Sequence, residues 1–443
     1  NGTGDRVLVA PGSVTIGGLN VLLQNSVVYN PNKSTALRVL AGELLTIRNN
    51  TIISRGTAFS QDGLDSSTTL SNNVIVADGS LGGDAFCIQV NGGQLYSDYN
   101  DLVARGGAWI GNSGGNWERL LYWQRASGED AHSLSHEPLF ADETGLDFHL
   151  KSLVGRYRGT TWTNDGVHSP AIDAGDPLQS AAAEPTPNGG RVNLGAYGAT
   201  AQASKSRTNA WLLALTMNDG GVLRGTNMIR WSSGNLGTTD LVRLDYSPDN
   251  GSSWTNIASG LSALAHQYEW NTTAFTSSLQ ALWRVVLQTN AAISDAVDNA
   301  FAVRNTQLSF YVNDSVTNGD VYTSAAGNPA NSGLAASVPK DSIMGILNAY
   351  DTESRDIIYV DTGSYGVTSD VRVIWSRGGD DNYGNLLILG STNAAGGGSL
   401  ISRIVVPGEG DDGFDVPASH VTIRDFTVQN MYRGVYFESN QFS

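Results

Sequence analysis

The sequence predicts an all-β protein that combines a right-handed parallel β-helix with an antiparallel β-sandwich. Three observations lead to this fold class: a composition rich in turn residues, a repeat near the start of the chain, and a later stretch of short alternating strands. Glycine supplies 52 of the 443 residues and charged residues only 15%, which is typical of many turns that join short strands. A chain of this length is expected to form two or three domains.

The repeat defines a first segment of β-helix coils, residues 1–115. The hexapeptides LQNSVV (23–28), IRNNTI (47–52), LSNNVI (70–75) and SDYNDL (97–102) align at an interval close to that of one coil. Parallel strands from successive coils would share backbone hydrogen bonds and a continuous apolar core. We expect the recurring asparagines to form a structural ladder through Asn25, Asn49, Asn72 and Asn100.

The periodicity fades in residues 116–206, which are irregular and contain the motifs HEPLF (136–140), SPAIDAGDP (169–177) and NGGRVNLGAYG (188–198). This stretch resembles the C-terminal closing segment of bacterial right-handed β-helix surface proteins. The resemblance implies that it terminates or covers the solenoid.

Residues 207–305 contain four strand-like runs that alternate apolar and polar residues, at 227–231, 241–247, 267–270 and 281–287. That pattern predicts a β-sandwich of about a hundred residues, and the segment resembles immunoglobulin-like or fibronectin type III modules of bacterial exoproteins. The octapeptide SPDNGSSW (247–254) fits the Asp-box of sialidase propellers. Because we find a single copy, we interpret it as a hairpin turn.

Residues 306–443 start a solenoid afresh. Ile343, Ile346, Leu347 and Tyr350 share one helical face behind Pro339, and strand-like runs follow at 356–365, 386–389, 404–406 and 421–428. The segment resembles the N-terminal capping helix and first coils of the pectate-lyase-like β-helix superfamily.

The order of the segments suggests a permuted solenoid. Coils without a starting cap open the sequence at Asn1, and a starting cap with few coils leads to Ser443. We therefore expect one period of a tandem-repeat protein, in which copies meet end to end. Separate chains that stack on one another are the less favoured version.

Charge and cysteine content restrict the partners. A net charge of −16 disfavours nucleic acid, whereas cell-surface glycans stay open as partners. The sequence contains no apolar run long enough to span a membrane. Cys87, the single cysteine, is expected to be a buried and inert thiol. We expect a bacterial protein located outside the cell or on its surface.

No cofactor is predicted, although calcium stays open. The acidic loops contain Asp380, Asp381, Asp411, Asp412 and Asp415, whose carboxylates could ligate Ca²⁺ but follow no known calcium motif. Solvated turns are the favoured interpretation.

Candidate catalytic residues are limited by the chemistry that β-helix enzymes require. A uronate lyase needs Arg or Lys as its base, and Arg48, Arg105, Arg424 and Arg433 are candidates without an evident acidic cluster. The residues His132, His136 and Glu137 lie in the closing segment, whose resemblance is structural. We therefore predict no catalytic residues and a structural repeat of a surface or fibre-forming protein, for which an adhesive role stays open. The alternative is a polysaccharide-active lyase or hydrolase.

Overall fold

The computed structural model describes residues 8–9, 13–404 and 411–438 of the chain. The protein is almost entirely β, with 41% of its residues in strands and 5% in helices, and it contains both parallel and antiparallel sheets. The prediction of an all-β chain is confirmed. The chain divides into two compact units, Asn1–Val303 and Arg304–Ser443, which are called unit 1 and unit 2 and are described separately.

Unit 1 begins with coils, each of which is one turn of the chain through three sheets. The strands are β1 (Leu8–Val9), β2 (Val14–Leu19), β3 (Leu22–Gln24), β4 (Val27–Asn30), β5 (Leu37–Glu43), β6 (Leu45–Arg48), β7 (Thr51–Ser54), β8 (Phe59–Gln61), β9 (Ser67–Ser71), β10 (Val74–Asp78), β11 (Phe86–Val90), β12 (Gln94–Asp98), β13 (Asp101–Arg105), β14 (Trp109–Asn112) and β15 (Asn116–Trp117). The sheet orders are β1-β4-β7-β10-β13, β2-β5-β8-β11-β14-β15 and β3-β6-β9-β12. All pairings are parallel except that of β15 with β14.

The register places like residues on top of one another. Val28, Ile52, Ile75 and Leu102 pair in consecutive strands, and each is at most 2% exposed. Paired residues of parallel strands point to the same side of the sheet. The sequence repeat therefore reflects one row of core side chains.

The next segment covers the coils. Its elements are α1 (Leu120–Ser127), β16 (Phe140–Asp142), β17 (Asp147–Leu150), β18 (Arg156–Arg158) and β19 (Thr161–Thr163). Leu120 and Trp123 of α1 join the core of the coils, and the Trp123 ring lies so close to Gly111 that no Cβ would fit there. Phe148 and Ile172 pack on Val74 and other outward residues of the first sheet. The segment is thus both an end cover and a lateral cover.

Antiparallel strands make up the rest of unit 1. They are β20 (Trp211–Ala214), β21 (Val222–Leu223), β22 (Thr226–Gly234), β23 (Leu241–Ser247), β24 (Thr255–Ser262), β25 (Gln267–Asn271), β26 (Ser278–Leu287), β27 (Ser294–Ala296) and β28 (Phe301–Val303), with a 3-10 turn at Thr272–Ala274. One sheet has the order β20-β22-β25 and the other β21-β28-β26-β23-β24, with β27 on β26; β21 and β28 pair in parallel. Trp231, Trp270 and Trp283 are buried in their shared core. Residues 247–254 join β23 to its antiparallel neighbour β24, so the hairpin interpretation is confirmed.

Unit 2 returns to parallel coils. Its elements are β29 (Ser309–Val312), α2 (Ile343–Ala349), β30 (Ile357–Val360), β31 (Gly363–Val367), β32 (Val371–Arg372), β33 (Leu386–Leu389), β34 (Ser399–Arg403), β35 (Asp412–Val416), β36 (Val421–Arg424), β37 (Phe426–Gln429) and β38 (Arg433–Phe437), with 3-10 turns at Trp375–Arg377 and Ala394–Gly396. The sheet orders are β29-β30-β33-β36, β31-β34-β37 and β32-β35-β38.

The helix predicted behind Pro339 is present, but it begins at Ile343. Ser342 caps it by accepting a hydrogen bond from the Gly345 amide at 3.1 Å. Ile346 and Leu347 are buried. Of the predicted run 404–406, residues 405 and 406 lie outside the described residues. Asn1 and Ser443, on which the permutation hypothesis rests, also lie outside them, so that hypothesis stays a prediction.

Candidate functional site

An asparagine ladder is present, but in the second and third coils it passes through the asparagine that follows the predicted one. Asn50 Nδ2 donates to Asn73 Oδ1 at 3.1 Å, and Asn73 Nδ2 donates to Asn100 Oδ1 at 3.0 Å. These three side chains are at most 1% exposed overall. Of the four predicted positions, Asn100 belongs to this ladder, whereas Asn25, Asn49 and Asn72 lie one residue before the inward-facing position, and a slip of one residue exchanges the inner and outer faces.

The three predicted asparagines that lie outside the ladder have a different structural role. Asn25, Asn49 and Asn72 adopt positive φ angles of 51°, 52° and 58°, a conformation that asparagine tolerates better than most residues. Their side chains bind the closing segment: Asn25 Nδ2 donates to the Gly198 carbonyl at 2.7 Å, and Asn72 Oδ1 accepts from the Asp176 amide at 2.7 Å. They therefore fasten the lateral cover to the coils.

The calcium candidates lie in two separate groups, and each carboxylate already has a partner. Asp380 Oδ1 accepts the amides of Asn382 and Tyr383, both at 2.8 Å, and Asp381 lies 2.9 Å from His420 Nε2. These contacts are those of a loop that is closed by its own side chains.

The second acidic group is paired with arginines. Arg403 Nη2 lies 2.7 Å from Asp411, Arg433 Nε lies 2.6 Å from Asp412, and Arg372 Nη1 lies 3.3 Å from Asp415. Within residues 13–404 and 411–438, no three His, Cys, Asp or Glu side chains gather as a metal site would require. Calcium binding by Asp380, Asp381, Asp411, Asp412 and Asp415 therefore gains no support from this arrangement.

His132 and Glu137 are each engaged with a different partner. His132 Nδ1 lies 2.7 Å from Asp98 Oδ2, and Glu137 accepts two hydrogen bonds from Arg105 at 3.0 and 2.6 Å. The His136 ring is turned inward and is 5% exposed. Among the described residues, no hydrogen bond joins any two of these three side chains, although His136 and Glu137 line the same cleft.

His136 lines a cleft of about 350 Å³ between the closing segment and the antiparallel strands that follow it. The other ionisable residues of this cleft are Glu137, His168, Arg207, Asp295 and Asp298. Asp295 Oδ2 accepts the Ala214 amide at 2.7 Å. His136 Nδ1 is buried and has no hydrogen-bond partner among the described residues. Converging titratable groups in a concave pocket are typical of a binding or catalytic site.

The environment of the cleft lowers the pKa of its histidines and raises the pKa of Asp295. Burial lowers the pKa of both His136 and His168, that of His168 to about 4, and the Arg207 charge adds to the effect on His168. Burial raises the pKa of Asp295 to about 6, and repulsion by Asp298 adds to this rise. Near pH 6 the cleft thus holds neutral imidazoles beside a carboxyl group that exchanges its proton, which suits general acid–base chemistry.

Sequence reasoning missed His168 and Asp295 in this role. They belong to different segments, and more than a hundred residues separate them. The only available signal was their chemical type, since the cleft exists only after the antiparallel strands pack on the closing segment.

Each coil places one strand in each of three parallel sheets, an arrangement that fits a β-helix-type protein. Residues 8–175 match the model of a β-helix-type family described as disaggregatase related. The match spans the coils of unit 1 and the first part of the closing segment. No curated protein matches the chain. No solved structure matches it either. Neither helix in the described part of the chain has the length and hydropathy needed to cross a bilayer.

Proposed function

We propose that this chain is a structural repeat of an extracellular, bacterial surface or fibre-forming protein. Its parallel coils would belong to right-handed β-helices of the pectate-lyase-like type, and its antiparallel strands would form an immunoglobulin- or fibronectin III-like spacer. Further coils would stack on the coils described here, supplied by the same chain or by another copy. Adhesion to glycans is compatible with this role.

The proposal is carried by the edge strand β38. Val435 pairs with Phe414, and Phe437 pairs with Val416. Phe414 and Val416 are at most 1% exposed, whereas Val435 is 40% and Phe437 59% exposed. Because in-register partners point to the same side, Val435 and Phe437 occupy core positions that no described residue covers.

Strand β2 of unit 1 has a similar edge. Val14 and Ile16 pair with Leu37 and Val39, which are fully buried, yet Val14 and Ile16 are only half-buried. Unpaired edges with apolar neighbours invite strand addition.

The occupant that fits such an edge is another coil of the same type. Asn430 of unit 2 follows β37 with a φ of 58°, as Asn25 follows β3 with a φ of 51°. The residues before them are also alike, Val428-Gln429 and Leu23-Gln24. The two units therefore turn the chain by the same device between consecutive sheets.

The arginines considered as lyase bases are all engaged. Arg105 is held by Glu137 and Glu143, Arg433 by Asp412, and Arg424 by Asp425. Arg48 donates to Gln24. These contacts support a structural role for the surface of the coils.

Hydrogen exchange tests the stacking. The amides of β38 are measured in the single chain at rising concentration and in a tandem protein that joins Ser443 to Asn1 of a second copy. Protection that grows with concentration supports stacking of separate chains, and protection in the tandem protein alone supports one continuous chain. Fast exchange of β38 under all these conditions would contradict the proposal. The variant Phe437→Lys is expected to abolish any concentration-dependent protection.

A second candidate function is favoured by the cleft around His168 and Asp295. A polysaccharide lyase or hydrolase needs a proton acceptor and a proton donor in one pocket, and residues 8–175 match the family described as disaggregatase related. The test is release of reducing or unsaturated ends from acidic and neutral polysaccharides. Asp295→Asn should abolish release, whereas Asp84→Asn, on the exposed surface of the coils, should not. No release by the unchanged chain would reject this candidate.

A further inference from the structure

Five asparagines of the described chain begin the tripeptide pattern Asn-x-Ser/Thr, in which an oligosaccharide can be attached to the asparagine side chain. They are Asn32, Asn49, Asn250, Asn271 and Asn313. The fold divides them into two groups, since Asn49 and Asn313 are at most 1% exposed, whereas the other three are exposed. A transferase that acts on the folded protein therefore reaches only Asn32, Asn250 and Asn271.

Asn271 differs from the other two exposed asparagines by the residue two positions before it. The sequence of residues 269–273 is EWNTT, with Glu269 at this position, whereas asparagine and proline occupy it before Asn32 and Asn250. Bacterial transferases that glycosylate folded, exported proteins select acceptors with Asp or Glu at this position, because a cationic group of the enzyme binds the carboxylate. The sequence around Asn271 meets this requirement.

The three side chains that such a transferase recognises are all presented to solvent. Glu269 and Asn271 belong to strand β25 and point to the same side, because successive strand residues alternate. Both are exposed, and Trp270 between them is 1% exposed. Thr273 follows in the 3-10 turn and is exposed as well, whereas Thr272 is fully buried. An incoming enzyme meets the acid, the amide and the hydroxyl together.

The side-chain nitrogen of Asn271 is available for substitution. Its Oδ1 accepts hydrogen bonds from the Thr273 amide at 3.0 Å and from the Thr273 hydroxyl at 2.8 Å, and these bonds fix the plane of the amide group. Within the described part of the chain, Asn271 Nδ2 forms no hydrogen bond and Glu269 forms no ion pair. A sugar on Nδ2 therefore replaces no described hydrogen bond.

Asn271 also lies where the backbone opens easily. Strand β25 is at the edge of the sheet β20-β22-β25, and Asn271 is its last residue, paired with Thr226. An edge strand is held by hydrogen bonds on one side alone, so its end separates from the sheet at low cost. A transferase has to draw the acceptor segment into its own cleft, and this position permits that movement.

We propose that Asn271 is an N-glycosylation site, to which a transferase attaches an oligosaccharide from a lipid pyrophosphate donor. Nδ2 forms a bond to the anomeric carbon of the first sugar, and the bond from that carbon to the pyrophosphate oxygen breaks. The lipid pyrophosphate leaves with the bonding electron pair, and one amide proton passes to a base of the transferase. The glycan then stands at the open end of an edge strand, where it hinders pairing with other chains.

This inference rests on one part of the proposed function, the location of the protein outside the cell, because the transferase and its donor act on exported chains. It does not depend on the stacking of coils. A chain whose β38 amides become protected but which accepts no glycan would contradict the glycosylation site alone. A chain that accepts the glycan and shows fast exchange of β38 would contradict the stacking alone.

Incubation of the folded full chain with a purified bacterial transferase and a lipid-pyrophosphate-linked oligosaccharide tests the proposal. Intact mass and peptide mapping should show one glycan per chain, on Asn271. Glu269→Gln should lower the rate of transfer at least about tenfold, because it removes one charge-assisted contact with the enzyme. Glu269 is exposed, so this variant is expected to fold, and circular dichroism checks that it does.

Asn250→Gln is the matched control, since it removes an exposed asparagine of the same tripeptide pattern that lacks the acidic residue. Transfer to this variant should equal transfer to the unchanged chain, and Asn271→Gln should abolish transfer. The proposal is overturned if the folded chain accepts no glycan, if Asn32 or Asn250 accepts as much as Asn271, or if Glu269→Gln is modified at the unchanged rate. An unmodified Asn271 in protein isolated from the cells that produce it would also overturn the proposal.

Discussion

The side-chain amide of Asn100 donates to the carboxylate of Asp130 at 3.3 Å, so that the inner asparagine ladder ends on the closing segment. The same carboxylate accepts the indole N–H of Trp123 at 2.8 Å and the Ser133 hydroxyl at 2.6 Å. Helix α1 and the last rung of the ladder are thus joined by one buried acid. The cover is linked to the polar interior of the coils and to their apolar core.

This linkage predicts that Asn73, the middle asparagine of the ladder, contributes most to the stability of unit 1. Asn73→Ala leaves the donors and acceptors of Asn50 and Asn100 without partners inside the core, which should lower the free energy of unfolding by about 2–4 kcal/mol. Asn91→Ala, which removes an exposed side chain that donates to Asp62, should change this free energy little. Urea unfolding followed by tryptophan fluorescence reports on unit 1, which contains every tryptophan except Trp375. Equal losses in the two variants would contradict the ladder's role.

The coils could be predicted from sequence because their repeat is local and the same pattern recurs. The position of the ladder could not be fixed, since Asn49-Asn50 and Asn72-Asn73 offer two candidates in each coil. The fourth copy of the repeat has a single asparagine and so identifies the inward position. Tyr99 has the positive φ there, at 56°, and Asn100 faces inward. Aligning the copies on Asn100 would have given the register.

A second prediction concerns pH and Asp101, which is fully buried. Burial raises the pKa of its carboxyl group to about 8, and Oδ2 has no hydrogen-bond partner in the described part of the chain. A raised folded-state pKa means that stability is fully present below about pH 4 and is lost as the pH rises through about 8. The Asp101→Asn variant should therefore become more stable than the unchanged chain at alkaline pH, by an amount on the order of a few kcal/mol.

Melting temperatures of unit 1 measured from pH 4 to pH 9 check this expectation. Asp84→Asn, at an exposed site, serves as the control because it removes the same charge. A constant difference between Asp101→Asn and the unchanged chain across this range would show that Asp101 does not titrate in it.

A third prediction concerns the buried ion pair of unit 2. Arg304 Nη2 contacts both carboxylate oxygens of Asp356, at 2.6 and 2.8 Å, and both side chains are at most 1% exposed. Arg304→Met leaves the Asp356 charge buried without its cation and should destabilise unit 2 by about 3–5 kcal/mol. The matched variant Arg424→Met removes an arginine whose pair with Asp425 is open to solvent, so it should have little effect. Hydrogen exchange of the β30 amides measures both.

A fourth prediction uses backbone strain at Leu44, between β5 and β6. Leu44 is 64% exposed and has a φ of 55°, a conformation that costs a side chain about 1–2 kcal/mol. Leu44→Gly should therefore stabilise unit 1 by about 0.5–1 kcal/mol after the entropy of glycine is subtracted. Leu40→Gly, at a similarly exposed position within strand β5, should destabilise it. The same sign for both variants in urea unfolding would contradict the strain argument.

The cleft around His168 and Asp295 could not be predicted from the sequence, for a physical reason. Its walls come from the closing segment and from the antiparallel strands that follow it, which the sequence predicts as separate modules. In the folded chain these parts belong to one compact unit. Residue types such as His168 or Asp295 acquire meaning only from that packing.

The last prediction concerns Cys87 in the core of the coils. Its thiol is fully buried, and burial raises its pKa to about 12, so neither access nor a thiolate is available in the folded protein. Labelling with a disulfide reagent should therefore require opening of unit 1, and it should be complete at once in concentrated guanidinium chloride. Asn73→Ala should accelerate labelling by about tenfold for each 1.4 kcal/mol of stability that it loses, provided that reclosing outpaces the reagent. Since Cys87 is the single cysteine, Cys87→Ser gives the background. Rapid native labelling that is unchanged in Asn73→Ala would show that Cys87 is reached through a local motion that does not involve the ladder.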